Sequence, residues 1–386
     1  MTSPSLSAPP SRRHLLQALC SSTAALAWPA WAQPRASDRG DILVGRSTAL
    51  SGPMAPFLAP IHQGQEAALA DFNTAGGVAG RKVRLVSLDD GFDAQRSLEN
   101  ARKLVQESGV VAMFGQAGTS QVLAQLPLLE QTRTPLVGIY TGSPAVRVTR
   151  SPWLFTTNAS YSDEMVKIIR NLVAIQSTRI GVAYESNDFG KLALPLVEKA
   201  IAAEGATLVG TQAMHSSGQD AEGAAKALAE LQPQAVVMIA AGPPVVAYVR
   251  AHKAHLGVPV YTLSLGAGAQ AIRALGDDAR GLAVARTTPS PTRLTTQIAR
   301  DFQASMKRYG QPADYDRFVG YLDARVLIEG LRAAGPNVSG PTLAAALEGL
   351  HKLDLGGHTY RFSAQNRNGS SFVDIAVIGP GGNYMH

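Results

Sequence analysis

Few side chains in this sequence stand in spacings that support catalysis or metal binding. The run Gly115-Gln116-Ala117-Gly118-Thr119-Ser120 falls between an apolar segment and a helical one. Backbone N–H groups at such a helix start can hold an anion, but the run lacks the Lys of a nucleotide-binding loop. Asp89 and Asp90 are adjacent on an extended end, so their side chains point apart; turn and cap roles suit them better than a metal. His252 and His255 lie one turn apart beside Arg250 and Lys253, the pattern of a solvated helix face. Glu185 and Asp188, near Tyr184, form a candidate acid pair with no nucleophile or base nearby in sequence. No GxGxxG, GxSxG or HExxH motif occurs. No catalytic residue, metal site or cofactor is expected.

The elements that would position a site are clearer. Short apolar runs alternate with helical patterns of 10–15 residues from residue 41 to residue 139, as βα units on a mostly parallel sheet. The rhythm pauses over 140–160, where Gly142, Pro144, Pro152 and Trp153 cluster, and then resumes to about 263. Two such series predict two similar lobes. Three helical stretches follow within 295–352, and the final segment reads as two short strands around an Asn/Gly/Ser turn. The helical tail is expected to cross back and complete both lobes. Ligands of parallel α/β sheets bind beyond the carboxyl ends of strands. Here those ends are residues 51–57, 115–120, 139–143, 184–190, 240–244 and 264–268, rich in small residues and hydroxyls, with Phe57, Tyr140 and Phe189 as apolar walls. That is the chemistry of binding through modest hydrogen bonds and apolar contact.

Composition agrees. The chain has 386 residues, is 45% hydrophobic and 17% charged, and carries one Cys and a net charge of +6. This is a globular chain of about two domains with no disulfide framework. Ser11-Arg12-Arg13 precedes an uncharged apolar stretch from Leu15 to Ala30, closed by Ala30-Trp31-Ala32. Residues 1–32 therefore read as an export signal of the twin-arginine type. Its removal leaves 354 residues with a charge of +4 and takes away Cys20, the sole thiol. No Lys/Arg block interleaves with aromatics and no later run is long enough to span a bilayer, so neither nucleic acid nor membrane embedding is expected.

The segment SGPMAPFLAPIHQGQEAALADFNTAGGVAGRKVRLVSLDD (51–90) resembles the opening of the solute-binding proteins of branched-chain amino-acid-type ABC importers, relatives of the leucine/isoleucine/valine-binding protein. The similarity continues through VVAMFGQAGTS, RTPLVG, RIGVAYESNDFG, GDDARGLAV and RFSAQNRNGSSFVDIAVIGPGG, over essentially the whole mature chain. The resemblance implies the periplasmic binding protein type 1 fold: two Rossmann-like α/β lobes with parallel-sheet cores, joined by a three-crossing hinge. The lobes would be residues 38–157 plus 286–338 and residues 158–285 plus 339–386. It also implies a periplasmic monomer that captures a small amino-acid-like, carboxylate or amide solute and delivers it to an inner-membrane ABC permease. The alternatives are a same-fold sensor for a membrane or regulatory partner, or an exported enzyme.

Carried over position by position, the resemblance puts an aromatic contact at Phe57. It puts carboxylate contacts at Ala117 and Thr119, with Ser120 and Gln116 adjacent, and an ammonium-binding carbonyl and hydroxyl at Tyr140 and Gly142. Thr141 or Ser143 would stand in for the missing hydroxyl. Phe189 faces the solute from the second lobe and Phe318 from the late helical part, while Tyr161 adds a second-lobe hydroxyl. Two departures stand out: Gly242-Pro243 replaces the family Tyr, and Ser264-Leu265-Gly266 replaces the Glu that meets the ammonium. A buried ammonium without a carboxylate is costly, so a carboxylate or amide is the expected ligand, with His62 and Arg317 as candidate charge partners.

Overall fold

The computed structural model describes residues 40–385; the expected signal peptide lies outside them. Strands β1 (Ile42–Thr48), β2 (Val83–Asp89), β3 (Ala112–Phe114), β4 (Leu136–Val137) and β5 (Leu154–Phe155) form a parallel sheet in the order β2-β1-β3-β4-β5. Parallel neighbours need crossovers, which are supplied by α1 (Ala55–Thr74), α2 (Ala94–Arg102), α3 (Thr119–Thr132) and α4 (Pro144–Arg147). A second series follows: α5 (Tyr161–Ala174), β6 (Arg179–Glu185), α6 (Asp188–Ala203), β7 (Thr207–Met214), α7 (Ala221–Glu230), β8 (Ala235–Ile239), α8 (Pro243–His255), β9 (Val260–Thr262), α9 (Ala269–Leu275) and β10 (Ala283–Arg286). Its strands lie in the order β10-β9-β8-β6-β7, the same winding as the first sheet, and all these neighbours are parallel. Strand β8, Ala-Val-Val-Met-Ile, is buried at every residue, as helices on both faces require.

The chain then returns to the first lobe. Helices α10 (Gln297–Arg308), α11 (Tyr315–Ala334) and α12 (Gly340–Glu348) and the pair β11 (Leu353–Asp354) and β12 (Thr359–Tyr360) precede β13 (Asp374–Ile378) and β14 (Tyr384–Met385). β13 and β14 add to the second sheet antiparallel, beside β10. The chain thus passes between lobes three times, near residues 156–160, 287–296 and 363–373. Side chains knit these crossings together: Thr287 Oγ1 donates to Asn158 Oδ1 at 3.1 Å, and Thr156 Oγ1 to Asn368 Oδ1 at 2.9 Å.

Two expectations need correction. Residues 339–386 do not go as a block to the second lobe: Leu343, Leu347, Tyr360 and Phe362 are buried in the first lobe's core with Phe155, Phe318 and Leu331. The apolar face of α12 advertises burial but not which lobe it covers. The two strands on either side of the Asn/Gly/Ser segment, β12 and β13, also do not pair with each other, since β12 pairs with β11 while β13 pairs with β10 and β14. The Asn/Gly/Ser segment between them is the third crossing.

Within the first lobe, α1 and α11 touch backbone to backbone. A Cβ on Gly64 would lie 1.9 Å from the Arg317 carbonyl oxygen, and one on Gly320 would lie 2.0 Å from that of Ile61. Only glycine fits either position, and the contact holds the N-terminal end of α11 at the interlobe face.

Asp323, farther along α11, is 1% exposed and accepts a hydrogen bond from Thr157 Oγ1 at the first crossing. Burial pushes its carboxyl up to about 7. The folded protein therefore keeps a proton that the unfolded chain sheds near pH ~4, and this group's contribution to stability falls as pH rises between those values. Asp323→Asn has no such proton to lose. Thermal and urea unfolding at pH 5 and pH 8 should show the variant gaining on the wild type by on the order of 3 kcal/mol at the higher pH. A pH-independent gap would contradict this.

Candidate functional site

The two sheets turn their carboxyl edges toward each other. Neighbouring connections leave in opposite directions between β1 and β3, and again between β6 and β8, and a crevice opens at each such point. The two crevices merge into a cleft of about 390 Å³ lined from both lobes. The strand-end loops singled out in the sequence supply most of its wall. Phe57, Ala117, Thr119, Ser120 and Tyr140 face it from the first lobe, and Tyr161, Phe189 and Gly242 from the second.

The lip of the first lobe is a hydroxyl chain. Tyr140 N donates to the Gln116 carbonyl at 2.8 Å, which aligns the loop after β4 with the loop after β3. Thr119, at the start of α3, shares a 2.9 Å hydrogen bond with Thr141 Oγ1, which lies 3.2 Å from Tyr161 OH on α5. The Tyr161 ring meets Phe189 edge-on at 5.3 Å. At the start of α8, Gly242 has φ +73° and a Cβ there would lie 2.9 Å from Met54 Sδ of the opposite lobe. A Tyr at this place would close the cleft, so Gly is what keeps the space open.

Other expected residues lie behind the lining. Gln116 is buried, donating from Nε2 to the Ala117 carbonyl and accepting from Gln125 Nε2. Thr141 is buried beneath Thr119, and Ser143 is buried at the N-terminal edge of α4. Gly142 lies behind the cleft wall: a side chain there would strike the Tyr161 ring at 2.6 Å, and its carbonyl accepts from Tyr161 N. Pro243 is the first residue of α8, one step back from the wall. Ser264 donates from N and Oγ to Glu164 on α5 and is committed there. Phe318 is 0% exposed and packs 4.8 Å from Phe302, so it belongs to the first lobe's core. Phe318→Ala should cost about 3–5 kcal/mol in unfolding free energy. The folded fraction should bind solute unchanged in calorimetry.

Neither candidate charge partner is available. His62 is buried against Thr48 Oγ1 at 3.0 Å, with its pKa pushed down to about 3 by burial and by Arg46 nearby, so it is neutral. Arg317 is paired with Asp314. The pair on α8 is split: His252 is 2% exposed and bonded to the Val258 carbonyl, while His255 is exposed with Arg250 and Lys253 and pairs with Glu222. Asp89 and Asp90 serve turns: Asp89 accepts from Leu50 N and Gly91 N, and Asp90 from Ser47 Oγ and Phe92 N.

The main correction concerns charge. The sequence has no acid at the family's ammonium position, yet Asp93, Glu185, Asp188 and Asp316 all line the cleft. Glu185, at the end of β6, accepts from Asn187 Nδ2 at 2.7 Å and Ala241 N at 3.2 Å, and burial raises its pKa. Asp188 and Asp316 bridge the lobes. Ser120 Oγ donates to Asp188 Oδ2 at 3.1 Å, and Ala269 N of α9 donates to Asp316 Oδ2 at 2.6 Å. Burial pushes the Asp316 carboxyl up to about 6. Glu185 and Asp188 were legible in the strand-end loop that contains them. Asp316 sits on a helix far along the chain, and no local pattern connects it to the cleft. Glu185 and Asp188 do share the cleft, but no His, Cys or Lys lines it to act as their base or nucleophile.

A family model described as periplasmic binding protein matches residues 41–383. The chain belongs to that family. This periplasmic binding protein is similar to a possible leucine/isoleucine/valine-binding protein from Rhodopirellula baltica, at 26% identity and TM-score 0.84 over 92% of this chain and 98% of the other. It is also similar to a substrate-binding periplasmic protein from Ralstonia solanacearum, at 29% identity and TM-score 0.82 over 89% and 99%. The Leu/Ile/Val-binding protein of Escherichia coli is 24% identical over 152 residues, which span 39% of this chain and 41% of that protein, less than half its length.

Proposed function

We propose that this protein is the periplasmic solute receptor of an ABC importer, which captures a small amino-acid-like solute between its lobes and presents it to an inner-membrane permease. The observation that carries this reading is the cleft itself. Its 390 Å³ lie between two lobes that are linked by three chain passages and bridged at the rim by side-chain hydrogen bonds. Such an arrangement opens and closes as a hinge, and a solute that contacts both walls favours the closed form. The solute would rest on the α3 lip at Ala117, Thr119 and Ser120, with Phe57, Tyr140, Tyr161 and Phe189 against its apolar part and Gly242 leaving it room. The protein acts as a monomer without catalysis or cofactor, exported by the twin-arginine route that Arg12 and Arg13 suggest. The lobes are residues 41–157 with 297–362, and 158–286 with 374–385.

Thermal unfolding of the leader-free protein against amino acids, amines, amides and carboxylates tests this, because a ligand stabilises the state that binds it. At least one class should raise the midpoint with saturation, and silence across all four would refute the reading. For the best ligand found, Thr119→Ala should weaken binding by about 1–3 kcal/mol in calorimetry, since it removes the lip hydroxyl and one of the partners of Thr141. Unchanged affinity would mean that the solute does not rest on this lip.

A further inference from the structure

The charge of the cleft runs against the charge of the chain. Lys and Arg number 35 against 29 Asp and Glu in the sequence, yet the cleft wall holds four carboxylates and no Lys, Arg or His. Among the described residues, none of these four carboxylates is in an ion pair. Helix N-termini answer part of the charge. Asp93 caps α2 by accepting from Arg96 N, and Asp188 lies in the first turn of α6. A terminus offsets about half a charge, however, so each of these still leaves the wall negative. Glu185 is on a strand end instead, 4% exposed, and its bonds to Asn187 and Ala241 N fix its place without neutralising it. A buried carboxylate without a close counter-charge is costly. His215 acts on Glu185, and Arg286 and Arg317 act on Asp316, only from beyond ion-pair distance, so the cleft leaves room for a cation in direct contact.

The rings point the same way. Aromatic residues make up 6% of the chain, yet Phe57, Phe92, Tyr140, Tyr161 and Phe189 are five of the 23 residues that line the cleft. The face of an aromatic ring is the negative side of its quadrupole, so a desolvated cation is attracted to it and an anion is not. An acidic cleft walled with rings is therefore complementary to a cation carried on an apolar body. Its volume of 390 Å³ is more than twice the roughly 150 Å³ that admits a benzene-sized guest, enough for a ring and a short arm.

We propose that the solute is an organic cation, an ammonium, alkylammonium or amidinium group joined to an apolar or aromatic body, with its charge at Glu185 and Asp188 and no carboxylate required of it. This rests on the cleft being the solute site and narrows the class of solute. A carboxylate alone would meet four like charges there. The same field draws cations to the entrance of an otherwise basic protein, and added salt weakens that attraction.

Four probes of one shape and different charge test this in the leader-free protein: phenethylamine, phenylacetate, phenylacetamide and phenylalanine. Calorimetry and thermal unfolding should show phenethylamine bound at least tenfold tighter than phenylacetate, with affinity falling as salt is raised. Glu185→Gln should weaken phenethylamine at least tenfold while leaving phenylacetamide within about twofold. Asp188→Asn is the second variant if the first does not fold, and it should shift phenethylamine in the same direction. Phenylacetate binding as tightly as phenethylamine, phenethylamine indifferent to both substitutions, or phenethylamine without effect would each overturn the cation assignment. Those results leave the receptor reading standing if another class in the wider panel stabilises the protein, whereas silence across the whole panel removes both.

Discussion

Parallel strands end together. Once β1, β3 and β4 run side by side in one direction, their outgoing loops must collect on one edge of the sheet, and the same holds for β6, β8 and β9. Everything else about the site depends on this constraint, because two such edges facing each other enclose a space that neither lobe could close alone. It also brings the starts of α3, α6 and α8 to the cleft, since each helix begins where its strand stops. The backbone N–H groups at those starts explain how several carboxylates are tolerated around one cavity. Asp316 accepts from the start of α9 and Glu185 from the loop leading into α8, so each acid is held directly by hydrogen bonds, with Arg286 and Arg317 near Asp316 and His215 near Glu185 beyond ion-pair distance.

The lobes are coupled by few and specific contacts. At the rim Ser120 reaches Asp188 and Ala269 reaches Asp316, and at the hinge Asn158 and Asn368 link the crossings to one another. Arg286, where the second crossing begins, lies between the rings of Tyr315 and Tyr384 at 4.5 Å from each. These contacts join the N-terminal end of α11 to the second lobe. The glycine contact between α1 and α11 fixes that same end within the first lobe. The boundary between the lobes thus joins these polar links to one apolar contact, Met54 and Phe57 against the start of α8, while each lobe keeps its own apolar clusters, a distribution compatible with rotation of two bodies without unpacking.

Local pattern revealed what local pattern determines. The βα rhythm, the pause at 140–160 and the six strand-end loops were all legible, because period and turn chemistry act over a few residues. Phe57, Thr119 and Phe189 reach the cleft because they sit in those loops. Phe318 was misplaced because a residue on a helix buried on nearly every side carries no mark of which face meets the core. Gly142 stands behind the wall because the space it frees is filled by Tyr161, 19 positions later in the chain. The acids were undervalued for a related reason. Asp316 occupies no family position of the missing Glu and arrives from another part of the chain at no fixed spacing.

The central claim is that a solute held between the lobes stabilises their closed arrangement. Cys20 is the sole cysteine, so the leader-free protein can be labelled at will. Spin labels on Gln95→Cys of α2 and Lys191→Cys of α6 would report the interlobe distance by pulsed electron resonance. Saturation with a ligand that raises the unfolding midpoint should collapse a broad or longer distribution into one short, narrow population. A distribution that the bound ligand leaves unchanged would contradict the account.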